Sequence, residues 1–565
     1  MSESIPLVVG GVLYTSTGYN RVIALDAETG HKIWEYESKH TPALRGVSYW
    51  PGTKGFAPAI VFGTLDGWLI SLDAKTGKPN PGFGAEGLVN LRIGVTEKFP
   101  KARYAITSPP SFYRDLVITG SSPGEEPTFG ATGDIRAWDM RNGKLVWTFH
   151  TLPRPGEPNH EVWQDGQWEG RAGVNSWSFI TVDVKRGMAF VPIGTPNTDF
   201  YGGDRKGSNL YGSTLVALDA ATGKLKWYFQ TTHHDNWDYD LASAPILITT
   251  RQNGKTIPAV AQITKQGYLF IFDRLTGKPV FGVEERPVPQ GDAPGEWYAA
   301  TQPFPLKPPP LARVSIKRED IVTADDTSAE HAKACQEVWD KRGFRDSGPF
   351  TPWVYQAEGT PEHDTITIPG ATGGTNWGGA TADPESGYVF VNSQDSPSAG
   401  WIRKNPNAKE EGQLPYDMRP GFLGFNAPYK DAEGKPLGNL PCIKPPWERL
   451  FAVNANTGDI AWQVPLGVTD FLPPEKRNTG RAGAFAGPIA TAGGLVFIGA
   501  TSDARFRAFD AKNGKELWTQ QLDYAATANP ITYRGKSGKQ YVAIVAAGPG
   551  KGNNQALMVF ALPRN

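Results

Sequence analysis

Cysteine is nearly absent: the chain of 565 residues carries two, Cys335 and Cys442. No Cys-x-x-Cys-His phrase exists, which excludes covalently attached c-type haem, and a cysteine-built zinc or iron–sulfur centre is excluded with it. The pair is either one disulfide in an exported protein or two buried thiols. Net charge is also lacking, since 57 basic residues balance 57 acidic ones. The electrostatic footprint of nucleic-acid binding is therefore missing, and no polybasic patch suits a membrane surface. No apolar run approaches the roughly 18 residues needed to cross a bilayer. The opening MSESIPLVVGG has neither a basic leading region nor a long apolar core, so no signal peptide is visible. Either the protein is cytosolic or the chain begins after a removed segment.

What the chain does have is glycine (65), proline (48) and tryptophan (18), a composition that suits a turn-rich all-β protein. Seven phrases share one pattern: VIALDAETGHKIW (22–34), LISLDAKTGK (69–78), IRAWDMRNGKLVW (135–147), LVALDAATGKLKW (215–227), LFIFDRLTGK (269–278), LFAVNANTGDIAW (450–462) and FRAFDAKNGKELW (506–518). A strand leads to Asp, a short turn closes on Gly, and a second strand usually ends on Trp. The Asp side chain can accept from backbone N–H groups two residues on, and Gly supplies the positive φ of the hairpin. A Trp four residues past the Gly can lie on the neighbouring repeat's turn.

The repeat position is Asp at 26, 73, 139, 219, 273 and 510, and Asn at 454. Most intervals suit one four-stranded sheet with its loops. The long gap from 273 to 454 holds a Pro-rich stretch and another strand pair at 376–393. Strands at the end of the chain, QYVAIVAAG and ALMVFALP, supply an eighth sheet. Sheets repeated radially make a β-propeller. We therefore expect one eight-bladed propeller over 1–565 with an insertion at about 284–350; two or three β-sandwiches are the alternative. The chain starts almost on its first strand, so blade eight is expected to have three strands.

The stretch TTHHDNWDYD (231–240) concentrates histidines, aspartates and aromatics. Adjacent residues on a strand point to opposite faces, so His233 and His234 do not easily share one metal ion. They read as packing residues. Asp235 and Asp238 can cap turns or do acid–base chemistry, and local spacing leaves both open.

Several phrases in one order resemble the pyrroloquinoline quinone (PQQ) dehydrogenases: RGVSYW (45–50), TSPP (107–110), HHDNWDYDL (233–241), RPVPQGDAPGEW (286–297), NWGG (376–379), LPCIKPPW (440–447) and GPIATAGGLVFIGAT (487–501). The likeness covers essentially the whole chain. It is closest to the membrane-bound glucose dehydrogenase branch, without that branch's membrane-spanning domain. The resemblance implies oxidation of a sugar, polyol or other alcohol by hydride transfer to PQQ, aided by Ca²⁺ or Mg²⁺. It assigns the general base to Asp238, expected to stay ionised beside the metal, and a cation beside the quinone oxygens to Lys265. The floor under the quinone falls on Trp177. Further cofactor contacts fall on Arg45, Thr107, Asn376, Trp377 and Glu3.

The metal loops depart from the alcohol-dehydrogenase pattern. GSSPGEEPTFG (120–130) offers Glu125 or Glu126, and GTPNTDF (194–200) puts Thr195 where Asn is usual, with Asn197 nearby. Asp238 completes the expected ligand set; exposed acidic loop residues are the alternative reading of the glutamates. That branch's vicinal disulfide is missing from ALRGVSYW. Where the glucose branch has a histidine, Thr41 stands, with His40 alongside. The glucose dehydrogenases carry Cys in the segments of Cys335 and Cys442, which implies a structural pair. Without haem, electrons are expected to pass to an external quinone or small cytochrome, in the periplasm. Two rival readings are a dehydrogenase for bulky secondary alcohols or cyclic polyols, such as quinate-like acids or hydroxylated toxins, and a non-catalytic propeller scaffold of outer-membrane assembly.

Overall fold

A computed structural model describes residues 3–163, 166–361, 363–409, 413–483, 485–548 and 555–562. Each repeat phrase supplies the third strand of an antiparallel sheet, the turn after it and usually the fourth strand. The first sheet contains Leu7–Val9, Val12–Thr17, Arg21–Asp26 and Lys32–Glu37. The turn works as its residues dictate: Asp26 Oδ1 accepts from the N–H groups of Glu28 (3.1 Å) and Thr29 (3.0 Å), and Gly30 sits at φ 72°. Asp73 repeats this with Lys75 and Thr76, and Asp219 with Ala221 and Thr222.

Tryptophans join successive sheets. The indole N–H of Trp34 donates to the carbonyl of Ala74 (3.0 Å), the residue after the next repeat's Asp. Trp147 does the same to Ala220, Trp227 to Arg274 and Trp462 to Ala511. Each indole lies on the turn glycine of the next repeat; a Cβ added at Gly277 would come 2.6 Å from Trp227. A glycine there gives both the φ of 72° and the room for the ring.

The strand pair at 376–393 and the phrase at 450–462 are halves of one sheet. Ala380–Asp383 and Tyr388–Gln394 pair on to Glu448–Asn454 and Ile460–Pro465, and residues 395–447 are inserted between them. The last sheet has three strands, Ile531–Arg534, Gln540–Ala547 and Gln555–Ala561, as expected. It meets the first sheet through side chains. Tyr533 donates its hydroxyl to the carbonyl of Ala27 (2.7 Å), the position that receives an indole elsewhere, while Lys536 pairs with Asp26. The chain is thus a β-propeller.

The insertions carry a feature that an all-β reading overlooks, an α-helix at Ala329–Lys341 capped by Ser328, which accepts from His331 N. Cys335 on that helix is disulfide-bonded to Cys442, 107 residues on, so the pair is bridged. If indole docking holds neighbouring sheets together, Trp227→Ala should cost about 3–5 kcal/mol. Trp518, which packs on Phe506 and Phe560 at the last junction, should cost less when replaced by Ala. Comparing the thermal midpoints of the two variants checks this; equal losses would contradict it.

Candidate active site

The loop after the fourth sheet is built around Asp235. Its buried carboxylate accepts from Ser213 Oγ (2.7 Å), Trp237 N (2.9 Å) and Tyr239 N (2.9 Å). Arg205, also buried, donates to the carbonyl of Asp235 (2.6 Å) and to Asn236 Oδ1 (3.0 Å). These contacts hold two non-glycine residues in the left-handed region, His234 at φ 44° and Asp238 at φ 60°. Such conformations persist only where surrounding structure over-determines them, and they cluster at functional sites. The two histidines diverge: His233 reaches Gln230 and Glu285, whereas His234 bonds Gly207 O and the buried Glu296.

The turned-out Asp238 meets Lys265, whose Nζ lies 2.7 Å from Asp238 Oδ1 and 3.4 Å from Asp240 Oδ2. All three side chains are buried. The stem of Lys265 runs over Gly373 (φ 82°), where an added Cβ would come 2.8 Å from its Cβ and Cγ. Asp240 is the hinge of the cluster. Its Oδ1 accepts from Thr195 N (2.6 Å) and its Oδ2 from the indole N–H of Trp177 (2.9 Å). Thr195 Oγ1 lies 3.0 Å from Asp199 Oδ1 and 3.2 Å from Asp240 Oδ1, so its single proton serves one carboxylate at a time.

Burial pushes Asp238 well above the usual carboxylate range, against the pull of Lys265. Burial and the charge of Glu125 do the same to Asp199. In Asp240 burial is outweighed by Lys265, Thr195 N–H and Trp177, which hold it below that range. Burial likewise disfavours the Lys265 charge, but Asp238 and Asp240 more than restore it. Glu125 faces solvent, yet its crowded loop and the charge of Asp240 raise it. For Asp238 desolvation exceeds the attraction of one lysine, whereas the expectation of an ionised Asp238 referred to a bound metal ion.

Beside this cluster lies an aromatic and cationic floor. The Arg45 guanidinium sits 5.0 Å from the ring centroids of both Trp177 and Trp377. It pairs with Glu3 (2.9 Å) and donates to Ser108 Oγ. Thr107 Oγ1 donates to Trp177 O (2.8 Å). Asn376 is turned toward its own loop, bonding Thr372 O and Trp377 N. Arg45 Nε and Trp377 Nε1 are buried without a partner among the described residues. Unmet donors beside two tryptophans fit a flat, anionic, oxygen-rich group such as PQQ.

Most of the expected residues converge, with two exceptions. Glu126 is exposed and has no recorded contact with the carboxylates. Asn197 spends its Nδ2 on the carbonyl of Pro127 (2.9 Å), tying the two metal-loop segments together. Sequence reasoning passed over Asp199, Asp240 and Arg205. Asp240 had a signal, since i and i+2 on an extended chain share a face with Asp238.

The family profile described as "PQQ: Glucose/ethanol/alcohol dehydrogenase, beta-propeller domain" matches residues 1–542. The chain belongs to that family. It is 33% identical over 585 residues to a quinate/shikimate dehydrogenase (quinone) of Acinetobacter baylyi, covering 96% of this chain and 70% of that one. It is 32% identical to the quinoprotein glucose dehydrogenase of Escherichia coli, covering 100% and 72%. In fold it resembles a quinohemoprotein alcohol dehydrogenase from Pseudomonas putida HK5, with TM-score 0.66 and 24% identity over 97% of this chain and 70% of that one. The protein is a PQQ-dependent dehydrogenase of the alcohol, glucose or polyol kind. No helix among the described residues is long and apolar enough to cross a membrane.

Asp235 supplies a pH test of this architecture. Burial raises its carboxyl to about 6, against donors from Ser213 and Trp237. A raised acid destabilises the fold above its folded pKa, and that cost is relieved as pH falls toward the unfolded value. Between about pH 6 and pH 4 the parent should therefore gain on Asp235→Asn, by something of order 3 kcal/mol. Denaturant unfolding of both proteins across that range measures it, and a pH-independent difference would contradict it.

Proposed function

We propose that this dehydrogenase oxidises a polyol or other secondary alcohol at Asp238, in the periplasm, and passes the electrons to an external quinone or cytochrome. The observation that carries the reading is the buried Lys265 ammonium held between Asp238 and Asp240, beside Trp177. Trp177, Arg45 and Trp377 would hold PQQ, which would supply an electrophilic carbon able to accept hydride. Asp238 takes the hydroxyl proton: as a carboxylate it has no N–H to compete with the substrate. Lys265 keeps a fixed positive charge at the same place and stabilises negative charge developing there. Arg45 and Trp377 orient the cofactor with their unmet donors, and Thr107 fixes the backbone under Trp177.

Oxygen ligands for Ca²⁺ or Mg²⁺ come from Glu125, Thr195, Asp238 and Asp240, with Asp199 as a further carboxylate. Hard divalent ions take such ligands, and the excess of carboxylates over the single lysine leaves room for a cation. The disulfide supports an oxidising compartment. Among substrates, a cyclic polyol is favoured by the likeness to the quinate/shikimate enzyme.

Reconstituting the chain with PQQ and Ca²⁺ or Mg²⁺ should give dye reduction with at least one member of a panel of aldoses, polyols and secondary alcohols. No reduction with any of them, and no cofactor absorbance retained, would sink the reading. Asp238→Asn should keep the cofactor and lose turnover by about 10²- to 10⁴-fold; an active variant rules Asp238 out as base.

A further inference from the structure

A cavity of about 410 Å³ is lined among others by Thr372, Gln394, Asn439, Trp447, Arg481 and Phe485. It reaches the reacting groups through one short chain of contacts. Gln394 donates from its backbone to Gly374 O (2.7 Å) and from Nε2 to Gly373 O (3.1 Å). Gly374 N in turn donates to Lys265 O (2.7 Å), and Gly373 carries the stem of Lys265. A molecule in this cavity therefore lies next to the loop that supports the catalytic lysine.

Arg481 is the unusual member of the lining. Its Nε donates to Ser502 Oγ (3.0 Å) and its Nη1 to Thr469 Oγ1 (3.3 Å), and its guanidinium lies 5.4 Å from the Phe471 ring centroid. None of the ion pairs among the described residues includes it. The nearby acids are already engaged: Asp470 holds Arg505 through two 2.9 Å contacts, and Asp503 holds Arg507. Asp395 also lines the cavity, but its buried carboxylate is neutralised by Arg313 (3.2 Å) and Arg449 (2.9 Å). The cavity thus contains one cation with no carboxylate of its own, flanked by amide side chains and two aromatic rings.

We infer that Arg481 is the anchor for a carboxylate on the substrate, so that the enzyme takes a ring-shaped polyhydroxy acid. This rests on the function proposed above. Arginine's planar fork matches a carboxylate in two parallel hydrogen bonds. Asn439 and Gln394 can serve ring hydroxyls, and Trp447 and Phe485 offer apolar faces to ring carbons. With the acid group held at Arg481, a ring hydroxyl is presented toward Asp238. That secondary alcohol becomes a ketone, its hydroxyl proton going to Asp238 and its hydride, with both electrons, to the quinone.

The test compares quinate with myo-inositol, two six-membered polyhydroxy rings with and without a carboxylate, in the holoenzyme loaded with PQQ and Ca²⁺. Parent protein should prefer quinate. Arg481→Gln should lower kcat/KM for quinate by about 100-fold, mainly through KM, while inositol changes by a few-fold at most. Arg481→Lys should restore part of the loss, and added NaCl should raise KM for quinate alone. Equal losses on both substrates, or weaker retention of PQQ by Arg481→Gln, would assign the arginine to the cofactor and overturn the inference. So would a parent enzyme that oxidises inositol but not quinate. If the parent oxidises neither, the parent reading of function has failed, and calorimetric titration of quinate into the chain decides the anchor separately. Binding that disappears in Arg481→Gln supports it, and no binding overturns it.

Discussion

One buried ammonium group organises the centre of this protein. A lysine taken out of water is tolerated only when carboxylates and hydrogen bonds replace its hydration, and Lys265 has Asp238 and Asp240 for that purpose. Removing one partner of such a group costs about 3–5 kcal/mol, because an uncompensated charge is left behind. The same arrangement orders its surroundings. Asp240 faces the lysine with Oδ2, which the Trp177 indole also holds, while Thr195 N–H holds its Oδ1, and Asp238 faces the lysine from a left-handed backbone. Trp177, Thr195 and Asp238 are therefore tied to one buried charge.

The propeller makes that requirement affordable by bringing loops from many sheets to one place. Successive sheets are locked by indoles on turn carbonyls, so the loops at the hub inherit a rigid frame. Long insertions then cover it. Trp353 of the insertion donates to Asn236 O (2.7 Å), and Trp237 donates back to Thr351 O (2.8 Å). Residues 351–353 are thereby stitched to the loop that carries Asp238.

Much of this was legible in the chain. The repeat phrases are local: turn chemistry and strand alternation are written within a dozen residues, so the docking tryptophans and the three-stranded last sheet could be foreseen. Asp238 and Lys265 emerged through resemblance, and they lie 2.7 Å apart in the fold. The metal loops were only half readable. Glu126 and Asn197 lie close in sequence to residues that do converge, yet one faces solvent and the other ties two loop segments together. Which neighbour turns inward depends on loop conformation, and no periodicity records it. Asp199, Arg205 and Arg481 were invisible for a related reason, since their roles come from partners far away in the chain or already taken by other residues. The helix at 329–341 lies in a stretch read only as part of an insertion, although residues 311–348 contain no proline to break it.

The central claim is that cofactor, metal and base meet at the Lys265 cluster. A crystal structure of the chain grown with PQQ and Ca²⁺ tests it most directly. The expected result is a planar ring against Trp177 and an ion among oxygens of Glu125, Thr195, Asp238 and Asp240, with Lys265 still beside Asp238. Density for the ring elsewhere in the propeller, or an ion bound away from Asp238 and Asp240, would contradict it.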